Sequence, residues 1–213
     1  MKIKVAIALL VLVVGFTLQA QERNDIFDPK TKVTWLGIDF SAHKFIGDRE
    51  RLGSESDMRH LFDARNDLIV KEADKYNIAD AIGRKGSTFV NEIDVTKEHN
   101  TELDVMSMYS DSEKDYMHLK ADGVAEIIAG YDFKGLTGIG MMFNSESFSK
   151  LNQEAAIWVT FVNMETKEVL FSERMTSPPA GAGTRNYWAG AMVKIIERIK
   201  KKEFEAWRKK FSQ

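Results

Sequence analysis

The chain has 213 residues and no cysteine, and its 30 basic and 32 acidic residues give a formal net charge of −2. The lack of cysteine excludes disulfides, thiolate catalysis, cysteine-bound zinc and a lipid anchor on an N-terminal cysteine. The slightly acidic balance offers no basic surface of the kind that nucleic acid requires, so no nucleic-acid partner is expected.

The N-terminal segment has the pattern of a secretory signal peptide. Lys2 and Lys4 precede an unbroken apolar run over residues 5–16, and the small residue Ala20 stands before a polar stretch. A basic end, an apolar core of roughly 7–15 residues and a small residue at the cut are typical of exported proteins. A membrane span needs about 20 apolar residues, so we expect cleavage near Ala20 and no stable span afterwards.

The rest of the chain has the length and composition of one exported domain. It contains no Asn-x-Ser/Thr glycosylation site, which favours a bacterial periplasm or exterior over a eukaryotic secretory route. We interpret residues 21–32 as a polar leader and residues 33–213 as a single well-buried domain.

The first half of this domain predicts a buried strand followed by a long helix. Residues 33–40 place apolar side chains on both faces of an extended segment, which is typical of a strand buried within a sheet. Residues 41–54 contain glycines and charges and indicate a loop. Ser56 and Asp57 can cap a helix that runs from Met58 to about Tyr76.

The remaining elements before the C-terminus are mostly extended. We predict strands within residues 89–95, 123–131, 138–143, 155–163 and 168–175, and a short helix over 111–119. The strands at 155–163 and 168–175 are joined by a short polar link, so they predict an antiparallel hairpin.

The chain ends in a long helix with two apolar stripes. Proline and glycine interrupt periodic structure over residues 177–183. The first stripe then comprises Trp188, Met192, Ile195, Ile196 and Ile199, and the second comprises Phe204, Trp207 and Phe211. The step from Ile199 to Phe204 is five residues, so the helix either bends there or turns its second stripe towards a different partner.

The order of these elements predicts an α+β fold. One strand, one helix, several strands and a final helix favour a mixed or mostly antiparallel sheet with helices packed on it.

The best candidate binding site lies where the last helix begins. It comprises Gly181, Gly183, Arg185, Asn186, Tyr187 and Trp188. Free N–H groups at a helix start favour anions, and an aromatic pair beside arginine is typical of interaction hot spots. The alternative is a flexible connection from sheet to helix. The third glycine of a dinucleotide fingerprint is replaced by Asn186, so no nucleotide cofactor is predicted.

Catalysis has one candidate segment, at the end of the first strand. Asp39, Ser41 and His43 lie close together there, and an envelope hydrolase using Asp39, His43 and other carboxylates is an alternative hypothesis. Catalytic triads usually come from separate segments, and no G-x-S-x-G elbow is present, so we assign no catalytic residue. The four histidines show no ligand spacing, so neither a metal site nor a cofactor is predicted.

A third hypothesis is a carrier for a small apolar ligand. The run Met141, Met142 and Phe143 would line an apolar cavity on the sheet.

The C-terminal half carries a resemblance. Two segments resemble a family of secreted bacterial proteins. The first, residues 157–171, contains a strand with "VTF" and a "TK-VL" hairpin, and the second, residues 181–188, ends in "RNYW". The likeness covers about residues 122–199. The family has no established activity and therefore implies secretion only.

The same region is more loosely similar to the periplasmic α+β domains of penicillin-binding-protein activators and curli-secretion proteins. Here Asn163 stands where that family often has Asp, Lys167 where it has Gly, and Phe171 where it has Trp. The lipid-bearing cysteine of those proteins is missing. The resemblance implies a protein that binds other envelope components.

Together these features predict an exported, non-catalytic binding domain of the bacterial cell envelope. An envelope protein or a glycan is the expected partner, and the sequence leaves the oligomeric state open.

Overall fold

A computed structural model of the chain describes residues 23–47, 54–181 and 183–211, with the backbone only for 183–185. The predicted signal peptide lies outside these ranges. The strands are β1 (Val33–Asp39), β2 (Lys44–Ile46), β3 (Phe89–Asn91), β4 (Tyr109–Ser110), β5 (Ile139–Ser149), β6 (Glu154–Asn163) and β7 (Glu168–Ser177). The α-helices are α1 (Glu55–Lys71), α2 (Ile78–Ala81), α3 (Asp94–Thr101), α4 (Ala121–Gly130), α5 (Gly183–Arg198) and α6 (Phe204–Phe211). None of the helices in the described ranges is long and apolar enough to cross a membrane.

Strand β5 is the centre of the sheet. Along one edge it pairs in parallel with β1 and then with β2, which follow each other end to end. Strands β3 and β4 pair in parallel outside β1 and β2. Along its other edge β5 pairs antiparallel with β6, and β6 with β7. The predicted hairpin is confirmed, but a mostly antiparallel sheet is wrong, because the path through β3, β1, β5, β2 and β4 is parallel.

The sheet separates two apolar cores. Helices α1, α5 and α6 cover one face, and α4 covers the other. Successive side chains of a strand point to opposite faces, so Met141 and Phe143 enter the first core whereas Met142 enters the second. All three are completely buried. The predicted cavity lined by these three residues is therefore not formed.

The segment predicted as a strand at 123–131 is helix α4. Val124, Ile128 and Tyr131 are fully buried and lie three or four positions apart, which is the period of one helix face. This face packs with Leu36 in the second core. The segment is apolar without strict alternation, and such a short run does not by itself distinguish strand from helix.

Two boundaries in the first half differ from the prediction. Helix α1 is capped by Ser54 rather than Ser56: the Ser54 side chain accepts from the Asp57 N–H, and the Asp57 carboxylate accepts from the Ser54 N–H. Within the predicted loop over 41–54, residues 44–46 form β2, whose three-residue length gives almost no periodic signal.

The predicted change of phase in the last helix is confirmed. Residues 199–203 form a π-helical turn, in which the Phe204 N–H donates to the Ile199 carbonyl five residues earlier. The wider turn rotates the second stripe towards new partners. Phe204 and Phe211 lie against Phe27, and Trp207 packs on Phe171. Residues 23–27 form a 3₁₀-helix within the segment interpreted as a leader.

Candidate functional site

Strand β1 contains a bulge that shapes the polar end of the sheet. Gly37 has a φ of 103°, and the pairing with β5 shifts register between Trp35 and Gly37. Strand β3 pairs with β1 only as far as Trp35, and beyond the bulge side-chain amides form the hydrogen bonds to the β1 backbone instead. The Asn66 side chain accepts from the Ile38 N–H at 2.6 Å and donates to the Ile38 carbonyl at 3.1 Å. Asn100 also donates to that carbonyl, at 2.9 Å.

This arrangement holds Asp39 in a buried polar cluster. The Asp39 side chain is completely buried and accepts four hydrogen bonds, one of them from the Ser41 N–H at 3.4 Å. Ser41 Oγ donates at 2.6 Å, Tyr131 Oη at 3.1 Å and Asn144 Nδ2 at 3.1 Å. Burial and the nearby Asp39 carboxylate hold the pKa of Tyr131 well above its usual value, so its hydroxyl stays a donor. The carboxylate is therefore fully used in hydrogen bonding inside the fold.

The histidine that approaches Asp39 is His99. Its Nε2 lies 2.9 Å from Ser41 Oγ and 3.9 Å from Asp39 Oδ1. In a serine triad the acid orients the histidine, whereas here the acid contacts the serine directly. His43 instead packs on Phe148 in the core of the opposite face. The predicted pairing of Asp39 with His43 is therefore wrong, because the turn between β1 and β2 turns the two side chains to opposite faces of the sheet.

His43 is buried among positive charges. It is 1% exposed, and its Nδ1 lies 2.9 Å from Ser145 Oγ. Burial lowers its pKa well below the usual 6.5, and the charges of Arg65, His118 and Lys44 lower it further. The folded protein therefore holds His43 neutral.

This depressed pKa predicts a loss of stability in mild acid. Below pH 6.5 the unfolded chain binds a proton at His43 that the folded chain refuses, so the free energy of unfolding falls as the pH decreases. We expect a loss of about 1.4 kcal/mol per pH unit from this group, until the folded pKa is reached. Urea unfolding between pH 7 and pH 5 measures it. His43→Gln should flatten the slope, and His60→Gln at an exposed site of α1 should not; equal slopes in all three proteins would refute the assignment.

The predicted binding segment is divided between core and surface. Trp188 is 1% exposed and stacks on Phe148 with ring centroids 4.7 Å apart. Tyr187 is partly exposed; its hydroxyl donates to the Gln153 side chain at 2.5 Å, and Lys150 Nζ lies 3.7 Å above its ring. Asn186 and Gly181 are exposed. Only the backbone of Gly183 and Arg185 is described, so the predicted role of the Arg185 side chain lies outside the described part of the chain.

Gly181 and Asn186 line a groove between α5 and the turn that follows α1, which we call the α1–α5 groove. Its volume is about 710 Å³. The other lining residues are Glu72, Lys75, Ala180, Gly190, Val193, Lys194 and Glu197. The segment before α5 is tied down by an Ala180 N–H to Tyr187 carbonyl bond of 2.9 Å. A Cβ atom at Gly190 would overlap the Ala180 carbonyl, so this glycine allows the close approach that forms the groove wall.

Sequence reasoning missed most of this groove. Glu72 and Lys75 come from the turn that follows α1, more than a hundred residues before Lys194 and Glu197 on α5. One local signal was present: an isolated glycine inside a helical pattern, here Gly190, indicates a close backbone approach. Within the described ranges, no three His, Asp or Glu side chains are grouped to hold a metal ion.

No family model matches the chain, and no curated protein matches it. Among solved structures, the chain is similar to a neuraminyllactose-binding hemagglutinin homolog from Helicobacter pylori, with 12% identity and a TM-score of 0.34 over 86% of this chain and 91% of that chain. It is also similar to the LpoB C-terminal domain from Salmonella enterica, with 15% identity and a TM-score of 0.26 over 71% of this chain and 87% of that chain. Scores this low carry no argument about function, so the family suggested by the C-terminal half stays a prediction.

Proposed function

We propose that the chain is an exported, non-catalytic binding domain of the bacterial cell envelope, and that it holds a protein or glycan partner in the α1–α5 groove. The observation that carries this proposal is the groove itself, which is lined by two of the residues singled out from the sequence, Gly181 and Asn186. A concave site with a few convergent polar groups is the usual form of a binding site.

The chemistry of the groove suits a polar, extended partner. Lys75 and Lys194 offer donors, and Glu72 and Glu197 offer acceptors, around the small residues of the groove wall. The Lys194 ammonium donates to the Pro178 carbonyl at 3.2 Å, and this contact holds the segment before α5 against the helix. A peptide backbone or a sugar chain presents both donors and acceptors, which matches this mixed lining.

Charge reversal in the groove tests the proposal. The purified protein is immobilised and offered envelope proteins and isolated cell-wall glycan in separate experiments, with the bound material identified. Lys75→Glu combined with Lys194→Glu should weaken capture of one identified partner at least about tenfold, or about 1.4 kcal/mol. Lys202→Glu with Lys209→Glu makes the same charge change on exposed side chains elsewhere. Equal capture by both double variants would refute the groove as the binding site.

Gly190→Ala should distort the groove wall. The added methyl overlaps the Ala180 carbonyl, so the segment before α5 has to move, at a cost of about 1–3 kcal/mol in the free energy of unfolding. The control is Gly130→Ala, a helical glycine of α4 with open space at its Cβ, which should gain up to about 1 kcal/mol. Thermal unfolding and partner capture measure both effects. Equal changes in stability and in partner capture for the two variants would show that the Ala180 carbonyl does not restrict position 190.

A further inference from the structure

Arg65, on the inner face of α1, is a buried cation with no counter-charge among the residues that the structure describes. It is 2% exposed, and none of its three guanidinium nitrogens has a hydrogen-bond partner among the described residues. Burial lowers its pKa to about 9. The equally buried Arg84 shows the usual arrangement, with each nitrogen donating to a carbonyl, those of Thr31, Ile82 and Ile26. Buried charges are normally paired, so Arg65 needs an explanation.

Two further side chains with an unpartnered buried nitrogen, among the described residues, pack on the Phe148 ring that Arg65 also contacts. His43 Nε2 and Trp188 Nε1 form no hydrogen bond within the described parts of the chain. The Arg65 guanidinium carbon lies 5.1 Å from the Phe148 ring centroid, and the ring centroids of His43 and Trp188 lie 4.4 Å and 4.7 Å from it. Side chains from three separate segments thus contact one aromatic ring, and each carries a buried nitrogen without a hydrogen bond, which folded proteins ordinarily avoid.

We propose that Arg65, with Trp188 and His43 beside Phe148, forms a site for a carboxylate group. The planar guanidinium fork matches the two oxygens of a carboxylate, and the indole N–H supplies another donor. One guanidinium provides a single positive charge, which one carboxylate neutralises. A phosphate dianion would leave a buried negative charge uncompensated, and that is costly in an apolar surrounding.

The same two elements contribute to this site and to the α1–α5 groove: Trp188 follows the groove residue Asn186 by two positions on α5. Glu72 lines the groove directly after the end of α1 and follows Arg65 by seven residues, so about two turns, or roughly 10 Å, separate the two positions. Here the inference deepens the proposed function, because a partner in the groove would supply the carboxylate. A free small carboxylic acid would supply the same chemistry.

Thermal unfolding of the purified protein with sodium acetate tests the site, with sodium chloride at equal ionic strength as the reference. Acetate should raise the Tm of the wild type by about 3 °C or more. Arg65→Met should abolish this shift and, without acetate, leave the Tm unchanged or higher, because an unpaired buried charge is replaced by an apolar side chain. The matched control Arg84→Met should lower the Tm by about 10 °C and keep the acetate shift.

Several outcomes overturn the proposal. The proposal fails if acetate and chloride change the Tm equally, or if acetate still raises the Tm of Arg65→Met. It also fails if phosphate raises the Tm and acetate does not. If the site holds, loss of partner capture in Arg65→Met identifies the partner as the source of the carboxylate, and retained capture identifies a free acid. If the groove variants capture the partner as well as the wild type does, while acetate still raises the Tm of the wild type, only the proposed function is refuted.

Discussion

Replacing Gly37 with alanine should lower the free energy of unfolding by about 4 kcal/mol, a large part of the 5–15 kcal/mol that a typical domain has. Two costs add. The φ of 103° is unfavourable for a residue with a side chain, at about 1–2 kcal/mol. The new Cβ would also overlap Asn66 Oδ1, whose hydrogen bond to the buried Ile38 N–H would then be lost, at about 1–3 kcal/mol.

A second glycine separates these two costs. Gly135 also has a positive φ, of 76°, but a Cβ there would meet nothing within 4 Å. Gly135→Ala should therefore cost only the conformational part, about 1–2 kcal/mol. Urea unfolding of the two variants and the wild type measures the difference. Equal losses would contradict the view that Gly37 is required by the contact with Asn66.

Replacing Asp39 with alanine should be as damaging, with an expected loss of about 4 kcal/mol. The change removes an acceptor of four hydrogen bonds and leaves the Tyr131 hydroxyl and the Asn144 amide buried with an unsatisfied donor each. Each such group costs about 1–3 kcal/mol, and a charged partner places the cost at the upper end. The resulting cavity adds to it.

The control for Asp39 is Ser41→Ala, which removes one half-exposed hydroxyl and should cost about 1 kcal/mol. Unfolding curves in urea measure both variants. The experiment also addresses the hydrolase hypothesis. A structural Asp39 predicts a destabilised protein, whereas Asp39→Ala with normal stability and loss of a measurable hydrolytic activity would show that the carboxylate serves catalysis.

Particular elements show why some predictions succeeded. Strand β1 is long enough to be identified by its apolar residues on both faces. The β6–β7 hairpin is identified by two extended segments around a short polar link. The π-helical turn at 199–203 was visible as a five-residue step between apolar stripes, because helical packing fixes the spacing of side chains that share a face.

Other elements carry no sufficient local signal. Strand β2 has three residues and is stabilised by pairing with β4 and β5, which are distant in sequence. Its position end to end with β1 is what turns Asp39 and His43 to opposite faces, so their closeness in sequence was misleading. The α1–α5 groove and the contacts of Arg65 likewise depend on segments that meet only when the sheet has formed.

The sequence by itself determined the absence of cysteine chemistry, the signal-peptide pattern, the α+β class and the phase of the last helix, because composition and short-range periodicity are local properties. The tertiary structure alone decided the parallel pairing around β5, the partner of Asp39 and the isolation of the Arg65 charge. These depend on which distant segments exclude water together, and a buried polar group acquires its chemistry from those neighbours.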